Sequence, residues 1–107
     1  MSVRSVLEQA ISTVFAVPVS QLHSHRRCAA RTAFARQTAM YLAHVAFGLT
    51  LTRVGAVFGR DRTTVAHGCA VVEDRREDPV LDRALTIVES ALRVACQRGT
   101  SPGGVWA

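Results

Sequence analysis

The chain has 107 residues, with 49% hydrophobic and 20% charged side chains, which is the profile of one globular domain with one modest core. No apolar run approaches the ~18 residues of a membrane-spanning helix, and the first residues, with Arg4 and Glu8, lack the apolar run and cleavage site of a secretory signal, so a cytoplasmic protein is expected. All 13 basic residues are arginine, against eight acids, for a net charge of +5; without lysine, neither P-loop nor Schiff-base chemistry can operate here.

Residues 3–15, VRSVLEQAISTVF, space Val3, Val6/Leu7, Ala10/Ile11 and Val14 at helical intervals, predicting an amphipathic helix that Pro18 ends. VSQLHS allows at most a short helical turn, with Ser20 a possible cap. Residues 23–31, HSHRRCAAR, are basic without an apolar period and read as a loop. From 32 to 47 the helical period returns strongly. Phe34, Gln37/Thr38, Tyr41/Leu42 and Val45 share one side, alanines line the contacts, Thr32 is a possible cap and Gly48 a stop. LTLTRVGAVFG predicts a short helix capped by Thr50 or Thr52, with Leu51, Val54, Val57 and Phe58 inward and Gly59 ending it.

After a tight turn, Asp61 is the candidate cap of a further helix with Val65, Cys69 and Val72 toward the core. EDRREDP closes it, and Arg75, Arg76, Arg83 and Arg93, interleaved with acids, read as a solvated, ion-paired face. A last amphipathic helix follows, with Val80/Leu81, Leu85, Val88, Leu92 and Ala95/Cys96 on its apolar side. It could extend the core or supply a dimer seam. The tail QRGTSPGGVWA is rich in glycine and read as frayed, with Trp106 able to dock on the core or a partner. The expectation is an all-α bundle of five to six helices. A single helical domain spans residues 1–98, with a helix-turn-helix at about 50–76 and a flexible tail at 99–107.

Chemistry-bearing clusters are few. Cys28, Cys69 and Cys96 are odd in number, without CxxC, and do not form a disulfide framework. His23, His25 and Cys28 make H-x-H-x-x-C, but a fourth ligand at a usual spacing is missing, so no metal is expected. His67 and Cys69, two apart, face different ways on a helix and are no dyad. No catalytic group and no cofactor are predicted.

Charge is distributed unevenly. Residues 20–62 hold seven arginines (Arg26, Arg27, Arg31, Arg36, Arg53, Arg60, Arg62) against Asp61 alone, whereas the flanking segments nearly balance. Such clustering points to a polyanion. A short helix, a glycine turn and a second helix opening on Asp61, Arg62, Thr63 and Thr64 make a helix-turn-helix. Its second helix offers an arginine fork for guanine, a carboxylate for cytosine N4, and threonine methyls and hydroxyls for thymine or phosphate. His67 lies on the same face, one turn on.

The run ARQTAMYLAHVAFGLTLTRVGAVFG, followed by RDRTTVAHGCAVVE, resembles the C-terminal DNA-binding domain (domain IV) of the bacterial chromosomal replication initiator, the DnaA family. That family shows A-R-Q-x-A-M-Y-L-A, then L-x-x-I-G-x-x-F-G-G, then R-D-H-T-T-V-x-H-A. The resemblance covers residues ~8–75 and implies a Trp-repressor-like helical fold that reads a short asymmetric duplex. It places Asp61, Arg62, Thr63, Thr64 and His67 at bases and nearby phosphates in the major groove. Arg36 and Gln37 match the family's phosphate-contacting pair, and His44 falls where a lysine often supports backbone contact. With Arg26, Arg27, Arg31 and Arg60, these form the expected phosphate-facing set.

Four departures stand out. Arg62 replaces the family histidine, and the turn has one glycine fewer. The minor-groove arginine aligns with Cys28, or with Arg27 across a gap. The ATPase module, with its G-x-x-x-x-G-K-[ST] loop, is absent. The resemblance therefore implies a stand-alone, nucleoid-associated DNA-binding domain acting on replication initiation or transcription. The alternative is an adaptor that touches the replication initiator or its regulators and binds DNA weakly. No membrane partner is expected, and the sequence does not set the oligomeric state.

Overall fold

The computed structural model describes residues 3–23 and 30–99, and among them every regular element is a helix: α1 Val3–Phe15, α2 Val19–His23, α3 Ala30–Val45, α4 Leu51–Phe58, α5 Arg62–Arg75 and α6 Pro79–Gly99. The element order follows the apolar periods of the sequence. Of the segment 23–31 expected as a loop, His23 belongs to α2 and Ala30 and Arg31 to α3, and residues 24–29 lie outside the described ones. Thr32 is therefore not a cap. It is buried inside the first turn, its hydroxyl donating to Gln21 Oε1 at 3.3 Å and tying α3 to α2.

α3 is the centre of the domain and touches α1, α2, α4 and α5. Ala35, Ala39 and Ala43 are buried together with Met40, Tyr41 and Leu42, so burial surrounds the helix instead of following the single side expected from its period. A helix enclosed by neighbours loses its polar stripe, and alanines every fourth residue let those neighbours approach its backbone. Thr38, fully buried, donates its hydroxyl to the Phe34 carbonyl at 2.8 Å and leaves no orphan donor in the core.

Leu7 and Ile11 of α1, Val54 and Phe58 of α4, and Val65, Cys69 and Val72 of α5 complete the core with Leu85 and Leu92 of α6. Val14 and Val80, expected inward, are exposed. Each sits at the edge of its helix's apolar arc, where the packed neighbours do not reach.

Two helix ends depart from simple stops. α1 ends on Ala16, a non-glycine residue at φ 54°, and the Val17 N–H then donates to the Ser12 carbonyl at 3.2 Å, the six-residue closure of a Schellman turn. Pro18 lies beyond this turn and bars further helix. α3 ends through Gly48 at φ 71°, which folds the Leu49 N–H back to the Ala43 carbonyl at 3.2 Å.

Most of the charged segment is the solvated face expected, with Arg75, Arg83 and Arg93 exposed, but Arg76 turns inward. Arg76, at the end of α5, donates to Asp82 Oδ1 at 2.6 Å, to Tyr41 Oη at 3.0 Å and to Thr86 Oγ1 at 2.8 Å, and also to Glu89. One guanidinium thus binds α3, α5 and α6 together, and Glu89 is buried around it. Alternating charges along a sequence cannot show this, because the convergence is three-dimensional. Arg4 plays a smaller part of the same kind. It pairs with buried Glu8 at 3.0 Å, donates to the Val57 carbonyl at 3.2 Å and lies over the Phe58 ring, joining α1 to α4.

Candidate nucleic-acid interface

α4, a three-residue turn and α5 form the helix-turn-helix, and each end of the turn is chemically specified. Thr50 caps α4, its hydroxyl accepting from the Arg53 N–H at 3.1 Å. α4 closes on Gly59 at φ 68°, a left-handed position that glycine occupies without the clash a Cβ brings. The Arg60 N–H then returns to the Gly55 carbonyl at 2.9 Å. Asp61 caps α5, Oδ1 accepting from the Thr64 N–H at 2.7 Å.

Sequence reasoning missed Gly55. A Cβ built there would lie 2.5 Å from the Arg60 carbonyl oxygen, a distance real side chains do not tolerate. α4 and the turn therefore meet backbone to backbone, and this contact sets where α5 begins. The signal was present in VGAVFG, a glycine inside an otherwise good helix. Gly68 was missed as well. A Cβ at Gly68 would stand 3.2 Å from Met40 Cε and 3.3 Å from Gln37 Cγ, so α5 lies close against α3.

α5 is buried along Val65, Gly68, Cys69 and Val72. Burial raises the Cys69 thiol pKa, helped by nearby Glu73, so this cysteine is an inert core group. Thr63 and His67, four residues apart, occupy the opposite side of the helix, and Arg62 and Thr64 flank them. All four are exposed together with Asp61. The Thr64 backbone N–H, then its hydroxyl, hold the Asp61 carboxyl below the usual carboxylate range. Asp61 is thus an ionised acceptor with Oδ1 engaged in the cap. Farther along α5, Glu73 and Asp74 put negative charge on exposed surface, so only the first two turns present a surface suited to an anionic partner.

The expected phosphate-facing residues do not all gather at this mouth. Arg26 and Arg27 lie outside the described residues, as do His25, Cys28 and Trp106. Arg31 donates through Nε and Nη2 to the Phe15 carbonyl at 3.0 and 2.6 Å, placing its charge on the carbonyl end of α1. It shares a surface depression with Phe34, Arg75 and Asp78, at the other end of α5 from Arg62 and about 20 Å away along the helix axis. Arg36 donates to the Leu22 and Gln21 carbonyls, both at 3.1 Å, and clamps the end of α2. Gln37, half-buried, sits beside α5 at Gly68.

His44 Nδ1 lies 2.6 Å from the Leu49 carbonyl. A carbonyl only accepts, so Nδ1 is the donor here and this nitrogen is engaged by the fold. Arg60 is half-exposed in the turn itself, and Arg53 is exposed on the first turn of α4.

Comparison with known proteins follows this geometry. The family described as "Bacterial dnaA protein helix-turn-helix" matches residues 5–72, a span that ends within α5. Similar curated proteins include chromosomal replication initiator protein DnaA 2 of Chlamydia trachomatis serovar D, 33% identical over 88% of this chain and 20% of the relative. The DnaA proteins of Lachnoclostridium phytofermentans and Laribacter hongkongensis are 35% and 33% identical over 75% and 81% of this chain, and 18% of each relative. The chain thus spans about a fifth of the length of the curated relatives it matches. No solved structure gives a significant match.

Proposed function

The chain belongs to the bacterial DnaA helix-turn-helix family, and on that premise we propose that it binds double-stranded DNA with sequence preference and acts on replication initiation or transcription at the nucleoid. The observation that carries this reading is the two-sided build of α5. Val65, Gly68, Cys69 and Val72 fix one side against the core, leaving Arg62, Thr63, Thr64 and His67 on an open turn at its start.

The B-DNA major groove admits an α-helix, and base edges there offer a distinct pattern for each pair. Arg62 provides a planar fork for guanine O6 and N7, and the Asp61 carboxylate, beside its cap bonds, accepts from cytosine N4. Thr63 meets a thymine methyl with its own methyl or a phosphate with its hydroxyl. Ala66 and Ala70 keep the surface between these residues low, so the helix can approach the base edges. Glu73 and Asp74 repel the phosphate ladder and confine entry to the N-terminal turns. Anchoring falls to Arg53, Arg60 and, outside the described residues, Arg26 and Arg27. Arg31 and Arg36 act on the fold. The role is binding, with no catalytic step.

Duplex binding under salt titration tests this. With these four arginines on phosphates, affinity falls roughly 150-fold between about 50 and 200 mM salt. Arg62→Ala shifts base preference by about 1–3 kcal/mol at one position, whereas Arg31→Ala lowers stability and leaves preference intact. If no duplex is bound, or salt has no effect, the adaptor reading takes over. An Arg62→Ala protein with unchanged affinity and preference means α5 does not enter the groove.

A further inference from the structure

Arg4 sits unfavourably for its own helix. It is the second residue of α1, and a cation beside a helix N-terminus opposes the helix dipole. Its guanidinium instead reaches the far end of α4. Nη1 donates to the Val57 carbonyl at 3.2 Å, and the guanidinium carbon lies 5.6 Å from the centroid of the Phe58 ring. Val57 belongs to the last turn of α4, whose carbonyls find no donor within the helix, and a cation there complements the dipole. Nε pairs with Glu8 at 3.0 Å, and Glu8 is buried beside the fully enclosed Leu7. α1 packs along α3 and α2, with little backbone contact to α4. Arg4 is thus a polar bridge from the core of the domain to the end of α4.

We propose that Arg4 is a positioning residue for the turn that opens α5: from α1 it fixes the last turn of α4, and through it the direction in which α5 starts. The path is short. Two residues after Val57 stands Gly59, and the Gly59 and Arg60 N–H groups both return to the Gly55 carbonyl. The Asp61 cap follows directly. A tilt in the last turn of α4 therefore passes into Asp61, Arg62 and Thr63. The close approach at Gly55 seats the turn on α4, whereas Arg4 seats the end of α4 on the body of the domain. Val54 and Phe58 also hold α4 in the core, but apolar packing is non-directional and a charged hydrogen bond to a carbonyl fixes orientation. Arg4 lies just outside residues 5–72, the span over which the family matches. Its effect on base discrimination rests on the duplex reading above; its effect on the turn does not.

Arg4→Met combined with Glu8→Gln removes the guanidinium, keeps an apolar stem over Phe58 and leaves no buried charge unpaired. Amide hydrogen exchange of the full chain reads the turn without DNA. The Gly59 and Arg60 amides should exchange about tenfold faster, relative to those of Leu42 and Ala43 in α3. Duplex binding well below Tm reads the consequence. Preference for a duplex enriched from a random pool, over a shuffled duplex of the same composition, should fall about fivefold or more, with shuffled-duplex affinity and its salt slope unchanged. Arg4→Lys, which keeps a donor for Val57, should fall between wild type and the double variant, and serves alone if the double variant does not fold. A lowered Tm with both ratios as in wild type shows a merely structural role and overturns the proposal. A loss of shuffled-duplex affinity together with a flatter salt slope also overturns it, since Arg4 would then touch phosphate. A wild-type chain that binds no duplex sinks the duplex reading alone. In that case faster Gly59 and Arg60 exchange in the variant still establishes the brace, and unchanged exchange overturns it.

Discussion

Replacing Gly55 by alanine probes the contact on which the geometry of the helix-turn-helix rests. The new Cβ would stand 2.5 Å from the Arg60 carbonyl oxygen, and ordinary contact requires roughly 3.4 Å, so the turn must retreat by about 0.9 Å. Helix propensity favours alanine by about 1 kcal/mol, while a backbone clash of this kind opposes it by about 1–3 kcal/mol. The net expectation is a loss of up to about 2 kcal/mol, seen as a Tm lowered by about 4–8 °C per kcal/mol in thermal unfolding. The displacement falls immediately before Asp61, so it also tilts the start of α5, and duplex discrimination should fall more than the salt-dependent part of binding.

Gly68→Ala is the matched control. Its Cβ meets only Met40 Cε and Gln37 side-chain carbons, at 3.2–3.5 Å. These groups can turn aside, so stability should stay within about 0.5 kcal/mol of wild type. A Gly55→Ala chain as stable as wild type, with unaltered duplex discrimination, would refute the backbone-contact argument.

Other substitutions report on separate parts of the fold. Ala16→Gly removes a Cβ from a left-handed position and should raise stability by up to about 1 kcal/mol in urea unfolding. Arg76→Ala leaves Glu89 buried without its guanidinium and should cost about 3 kcal/mol, whereas Arg76→Met combined with Glu89→Leu should recover most of the loss. Asp61 has a lowered carboxyl pKa in the folded state, so its contribution is complete above the unfolded value near ~3.9 and is lost as pH falls through the lowered folded value. Asp61→Asn keeps an oxygen at the cap and should remove that part of the acid sensitivity in Tm measured between about pH 2 and 5.

Most of the fold was legible in the chain because its helices are amphipathic and their ends carry specific chemistry. Gly48, Gly59, Thr50 and Asp61 each act where their side chains, or the lack of one, predict. The exposed polar turn at the start of α5 was legible for the same reason. A capped helix start with Val65, Cys69 and Val72 fixing its inner side leaves Arg62, Thr63, Thr64 and His67 only one direction to face.

The arginine cluster was less legible, since charge along a sequence carries no information about which end of a helix each side chain reaches. Arg31 and Arg36 hold carbonyls at two helix ends, and His44 braces the approach to α4.

The sequence by itself determined the helical periods, the caps, the turn and the polar mouth of α5, all local properties of neighbours within a few residues. Only the tertiary structure decided which arginines hold carbonyls of the fold, that Arg76 is drawn in among acids and a tyrosine, and that Gly55 meets the turn. Each depends on distances between residues far apart in the chain, and periodicity does not encode those distances.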